Sequence, residues 1–250
     1  MPLNELQKER YARHLALDDI GENGQEKLLR SKVLVVGAGG LGSPAALYLA
    51  AAGIGTIGLM DGDSVDLSNL QRQILHTTDT VGQMKVESAR IRLHALDPSV
   101  TVESYPYCLS SENAKTILSG YDFIIDATDN FSSKFLIAKA CHDAGKPCSH
   151  AGISAFAGQT MTVRPGKTAC YRCIFHEEGI PSGEIPRGPV GALPGIIGSI
   201  QAMEAIKILL SIGEPLCNAL LTCDTLTMEF RKIPLSRDPQ CPFCGNALYR

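Results

Sequence analysis

The stretch KVLVVGAGGLGSPAALYLAAAG, residues 32–53, decides the fold. A run of β-branched and apolar residues ends in glycines, and the glycines open into a small-residue helical pattern, an order that predicts strand, tight turn and helix. TIGLMD at 56–61 is a second short apolar run. It closes a βαβ unit whose two strands lie parallel through a right-handed crossover.

The same alternation continues toward the C-terminus. KVESARIRLHAL (85–96) reads as a helix stopped by Asp97–Pro98, TVESYPY (101–107) as a strand and ENAKTILSG (112–120) as a helix. DFIIDATD (122–129) reads as a strongly apolar strand, and SSKFLIAKACHDAG (132–145) as a helix starting at a Ser cap. Strand and helix in alternation predict an α/β fold, a Rossmann-like doubly wound and mostly parallel sheet with ligand at the carboxyl ends of its strands. After about residue 150 the pattern changes. QTMTVRP, ALLTCD and TMEFRKI are late strands expected to extend the sheet in mixed or antiparallel fashion. A Gly/Pro-rich stretch, EEGIPSGEIPRGPVGALPG, precedes an apolar helix, IIGSIQAMEAIKILLSIG. The polar run GDSVDLSNLQRQILHTTDTVGQM, residues 62–84, is long for a connection without regular structure, and such connections tend to be functional.

With 250 residues, 44% hydrophobic, 20% charged and 24 glycines, the chain can bury a sizeable core as one domain. A net charge of −3 gives no overall electrostatic pull toward nucleic acid or anionic lipid. MPLNELQKERYARHLALDDIG carries charges throughout and lacks the apolar stretch of a signal peptide, and no 18 apolar residues run uninterrupted. The expectation is a cytoplasmic protein with no membrane span and no nucleic-acid partner. Residues 1–30 read as an N-terminal helical arm, 31–150 as a nucleotide-binding half and 151–250 as a second half within a single domain.

Glycines at 37, 39, 40 and 42 let backbone approach phosphate oxygens, and the following helix offers free N–H groups and a positive dipole end. Asp61, at the end of the second strand, is placed to accept from ribose hydroxyls. Taken alone, this pair favours NAD and an NAD-dependent oxidoreductase. Its company favours a triphosphate with magnesium: Arg72 in SNLQRQ and Lys85 in QMKVES supply cations, and Asp129, beside Asn130 in DATDN, supplies a metal-binding carboxylate. None of the six histidines stands in a recognisable hydride-transfer setting.

Nine cysteines in a chain without an export signal point to metal or thiol chemistry. Cys170 and Cys173 in CYRC, with Cys241 and Cys244 in CPFC, form two CxxC pairs whose paired spacing and turn-like CPFCG favour a closed four-thiolate zinc site of structural type over two redox dithiols or four ordinary cysteines. Cys108, Cys141, Cys148, Cys217 and Cys223 stand singly and are expected to be small buried hydrophobes.

RYARHL, GAGGLG, DLSNLQRQ, GQMKVESA, DATDN, the two CxxC pairs and IGSIQAMEAIK together resemble the MoeB/ThiF/HesA family, relatives of the ubiquitin-activating enzymes, over nearly the whole chain. The resemblance implies a homodimer that uses ATP and Mg2+ to adenylate the C-terminal glycine of a ubiquitin-like sulfur carrier ending in Gly-Gly, with Zn2+ on the four cysteines and a separate sulfur donor protein. Carried over to this chain, it makes Gly40, Asp61, Ser68, Asn69, Arg72, Lys85, Asp129 and Asn130 the nucleotide set, with Asp129 the magnesium ligand. Arg13 matches an arginine that reaches the partner subunit's phosphates, and Arg13, Arg72, Lys85 and Asp129 form the catalytic group. Residues 151–250 become the zinc-bearing, carrier-binding half, serving molybdenum cofactor or thiamine biosynthesis. One departure stands out. The loop before the GIIG helix has no cysteine, and Glu184 falls near the position where relatives carry one, so the expected product is an acyl adenylate without a thioester on this chain.

Overall fold

A computed structural model describes residues 2–176 and 188–245. Three helices lead in: α1 (Glu5–Arg10), α2 (Ala12–Leu15) and α3 (Gly21–Arg30). The first is set by a capping box in which the Asn4 side chain accepts from the Gln7 N–H while the Gln7 side chain answers the Asn4 N–H. Then come β1 (Lys32–Val36), α4 (Gly42–Ala51), β2 (Thr56–Met60), α5 (Lys85–Leu96), β3 (Thr101–Tyr105), α6 (Ala114–Ser119), β4 (Phe123–Asp126) and α7 (Phe131–Ala144). The chain continues through β5 (Cys148–Ser154), β6 (Ala157–Val163), α8 (Tyr171–Ile174), α9 (Ala192–Leu210), β7 (Ala219–Asp224) and β8 (Glu229–Pro234).

The eight strands of the described residues join one sheet in the order β3-β2-β1-β4-β5-β6-β7-β8. The first five lie parallel, and β6, β7 and β8 follow antiparallel, as the late strands predict. β5 has no counterpart in the sequence reading: CSHAGIS mixes polar and apolar residues, so neither a period of two nor an unbroken apolar run marks it. Helix α7 also starts differently from expectation. Its N-cap is Asn130, whose Oδ1 accepts from the Ser133 N–H and the Ser132 hydroxyl, and the serines lie inside the first turn. The same helix ends at Gly145, which adopts the left-handed conformation at φ 65°.

Two cores flank the sheet. Val33 and Val35 of β1 face one with α4, α5 and α9, while Leu34 and Val36 face the other with α6 and α7. Because β1 is buried on both faces, its sequence shows a solid apolar run. Helix α9 is 19 residues long and apolar enough to cross a membrane by length and composition, with mean hydropathy 1.4. In the fold it packs on α4 and on β4 to β6. Its buried Glu204 accepts from the Thr162 hydroxyl and the Leu216 N–H, and pairs with Lys207. At the far edge of the sheet, every residue of β8 is exposed.

Candidate functional site

The carboxyl ends of β1 and β4, neighbours in the sheet whose following helices pack on opposite faces, make the crevice in which doubly wound sheets bind ligands. The turn after β1 is glycine-dependent at two points. Gly37 has φ 102°, and a Cβ there would lie 2.7 Å from the Ala127 carbonyl oxygen. At Gly42 a Cβ would meet the Gly37 carbonyl oxygen at 1.9 Å. Gly39 and Gly40 are less constrained: a Cβ on Gly40 would pack at 3.3 Å from Pro194 and 3.5 Å from the Arg72 side chain. Thus Gly37 and Gly42 shape the turn.

Around the turn stands a bonded frame. The Asp61 carboxylate accepts from the Ala38 N–H at 2.8 Å and, through its other oxygen, from the Asp63 N–H at 2.9 Å. Lys85 is only 6% exposed, so its ammonium requires counter-charges; Asp63 lies 2.7 Å away and Asp61 3.8 Å away. Ser68 receives its place from the Asp66 side chain, which accepts from the Ser68 N–H. The Asn69 side chain accepts from Gln73 Nε2 at 2.6 Å and donates to the Ser68 hydroxyl at 3.1 Å. Arg72 donates to the Ser68 carbonyl and runs beside Gly40.

His76 joins this frame from underneath: Nε2 faces the Ala38 carbonyl and Nδ1 the Ser88 hydroxyl, each at 2.9 Å. Burial, reinforced by Lys85, lowers its pKa below the usual imidazole value, so near neutrality it serves as an uncharged strut under the glycine turn. Neither Gln73 nor His76 is among the site residues read from sequence. His76 sits in a polar stretch whose spacing carries no signal, although Gln73 falls within SNLQRQ itself.

Asp129 and Asn130 follow β4 on the other wall of the crevice. Both are exposed, and Asn130 Nδ2 lies 3.4 Å from Asp129 Oδ1. Gly37, through its close approach to Ala127, brings this wall against the glycine turn. The fold therefore brings together Gly37 to Gly42, Asp61, Ser68, Asn69, Arg72, Lys85, Asp129 and Asn130. Arg13 stands apart on α2, exposed, with no hydrogen bond or ion pair among the described residues. Glu184 lies outside the described residues.

The two CxxC pairs converge. Cys170 Sγ lies 3.7 Å from Cys173 Sγ and 3.5 Å from Cys241 Sγ, and Cys173 Sγ lies 3.3 Å from Cys244 Sγ. All four sulfurs fall within 4.8 Å of one another, a donor set that fits one tetrahedral metal ion and leaves no position for water. The Asp238 N–H points at Cys173 Sγ from 3.5 Å, a backbone donor toward the thiolate that such an ion would stabilise. Of the five single cysteines, Cys141, Cys148 and Cys223 are buried as expected. Cys217 is intermediate, and Cys108 is exposed because it lies in the loop after β3, against Gly62, rather than in a packed element.

A family model described as the ThiF family matches residues 11–243. The chain is 45% identical over 247 residues to a "Sulfur carrier protein adenylyltransferase" of Thermus thermophilus, covering 95% of this chain and 91% of that protein. It is 43% identical to a "SAMP-activating enzyme E1" of Haloferax volcanii, with 98% and 92% covered. Among solved structures, E. coli MccB with ATP superposes with a TM-score of 0.84 at 27% identity, over 95% of this chain and 75% of that one.

Proposed function

Because the chain belongs to the ThiF family, we propose that it adenylates the C-terminal carboxylate of a ubiquitin-like sulfur carrier protein with ATP. It is an ATP-dependent adenylyltransferase. The alternative of an NAD-dependent oxidoreductase finds no support among these relatives.

The observation that carries the reading is the charge pattern at the glycine turn. Lys85 and Arg72 border the turn on one side, and on the other the exposed Asp129 stands two residues beyond Ala127, whose carbonyl lies against Gly37, an arrangement suited to a metal-bound triphosphate. A carboxylate oxygen of the carrier forms a bond to the α-phosphorus as the α–β phosphoanhydride breaks, and pyrophosphate leaves. No side chain needs to become covalently attached. Arg72 and Lys85 balance the charge that gathers on the leaving group, Asp61 and Asn69 orient the nucleotide, and Asp129 holds Mg2+, which when bound neutralises phosphate charge. Lys85 leaves Asp63 for phosphate as the nucleotide enters.

Arg13 completes the site from a second copy, as the partner subunit's Arg13. This is supported by its isolation on α2, next to an apolar groove lined by His14, Tyr48, Met203 and Ile206 with Tyr48 and Met203 more than half exposed. The four cysteines hold Zn2+. The loop lacks a cysteine near Glu184, so the product is the acyl adenylate, and a separate protein delivers sulfur. ATP–pyrophosphate exchange tests the whole reading: exchange should depend on a carrier ending in Gly-Gly and vanish when that tail is removed. Exchange indifferent to every such carrier would defeat it.

A further inference from the structure

Beneath the Asp129 turn lies a buried ionic cluster whose charged side chains, among the described residues, make no hydrogen bond to the glycine turn. Lys134, on the first turn of α7, is 6% exposed. Its ammonium donates to the Thr128 carbonyl at 2.7 Å and to the Ala151 carbonyl at 2.5 Å. The fully buried Asp126 carboxylate, 3.4 Å away through both oxygens, faces its third N–H.

Asp126 is itself saturated. Its Oδ1 accepts from the Thr128 hydroxyl at 2.6 Å and the Thr128 N–H at 3.1 Å, and its Oδ2 lies 2.7 Å from His150 Nδ1. Gln201 of α9 donates from Nε2 to the Asp126 and Ser149 carbonyls, closing the cluster from above.

A buried ammonium and carboxylate are costly to desolvate, and neither is needed to start α7, which Asn130 caps. What their bonds have in common is the segment 126–128: its side-chain carboxylate, its amide, its hydroxyl and its carbonyl are all taken. The segment leads straight into Asp129, whose own side chain is exposed and only weakly held.

We propose that Lys134 is a positioning residue that, through Asp126 and Thr128, fixes the backbone from which Asp129 reaches the metal–nucleotide. This rests on the assignment of Asp129 as the magnesium ligand. Lys134 does not touch substrate. It converts a polar turn at the end of β4 into a rigid mount bonded to β5 and α7.

ATP binding by calorimetry, at saturating Mg2+ and again in EDTA, gives an affinity ratio that reports how well the metal is received. Lys134→Met should lower that ratio about tenfold while leaving the EDTA affinity within about twofold. Thr128→Val, which deletes one hydroxyl and no charge, should lower it about threefold. Asp129→Asn is the control. An unchanged ratio in that control strikes at the Asp129 assignment itself. A lowered ratio there, with unchanged ratios in Lys134→Met and Thr128→Val, overturns the role of Lys134, even if both variants melt earlier. Should Lys134→Met fail to fold, the Thr128→Val ratio alone decides.

Discussion

Asp129 is exposed and bonded only weakly within its own chain, so its loss should cost function rather than fold. Asp129→Ala should cut carrier-dependent pyrophosphate exchange by about 100-fold or more while shifting the melting temperature by less than about 2 °C. Parallel exchange assays and calorimetric scans check both halves. The buried pair behind it behaves in the opposite way. Burial alone would raise the Asp126 carboxyl, but Lys134 and His150 hold it down at about 2. Burial alone would lower the His150 imidazole, but the sulfur of Cys148 and the Asp126 carboxylate carry it up to about 9. The imidazolium therefore contributes stability in full below pH about 6.5, the unfolded value, and loses it as pH rises through 9. The carboxylate contributes above pH about 4 and loses its part as pH falls through 2. Melting temperature should drop by about 5 °C between pH 6.5 and 9, and His150→Asn should flatten that slope. An equally steep slope in the variant would detach it from His150. Sequence alone hid this pair, with one discernible trace: Lys134 precedes Ile137, Ala138 and Cys141 at helical spacing, a cation on the apolar stripe.

At the scale of elements, the glycine turn and the turn after β4 depend on each other. A side chain at Gly42 would collide with the Gly37 carbonyl, and one at Gly37 would collide with Ala127 on the opposite wall. Gly42→Ala should destabilise by about 3 kcal/mol and abolish ATP binding, whereas Gly39→Ala, whose nearest neighbour would be Gln73 Nε2 at 3.5 Å, should leave stability within about 1 kcal/mol. Chemical denaturation of both variants separates the two cases. A similar dependence explains the element missed from the sequence. β5 has Gly152 and His150 within it and forms because β6 pairs with it along its whole length, while β4 on the other side pairs with Cys148, Ser149 and His150.

For the whole molecule, the four clustered cysteines and the N-terminal arm act at the largest distances along the chain. Cys170 and Cys173 precede α9, and Cys241 and Cys244 follow β8, so a metal held among them ties the end of the sheet to the segment before α9. Cys244→Ser should lower bound zinc below one per chain and the melting temperature by about 10 °C, measured by metal analysis and scanning calorimetry. Chelation of the unaltered protein should reproduce the shift. If Arg13 serves the partner's site, Arg13→Ala and Asp129→Ala proteins, each inactive, should recover roughly a quarter of full activity when mixed and allowed to exchange subunits. No recovery, with mixed dimers demonstrated, would place Arg13 outside the site.

Four of the five parallel strands, the glycine turn, the two cysteine pairs and the family were legible from residue order, because strand and helix periods, turn glycines and CxxC spacing are local properties. Tertiary structure alone decided which charges share a wall. Lys85 came to rest between Asp61 and Asp63, and Lys134 came to lie beneath Asp129 with His150, because strands distant in sequence pair side by side and bring their ends together. Burial, which turns those encounters into fixed geometry and displaced pKa values, arises only once the sheet is covered on both faces.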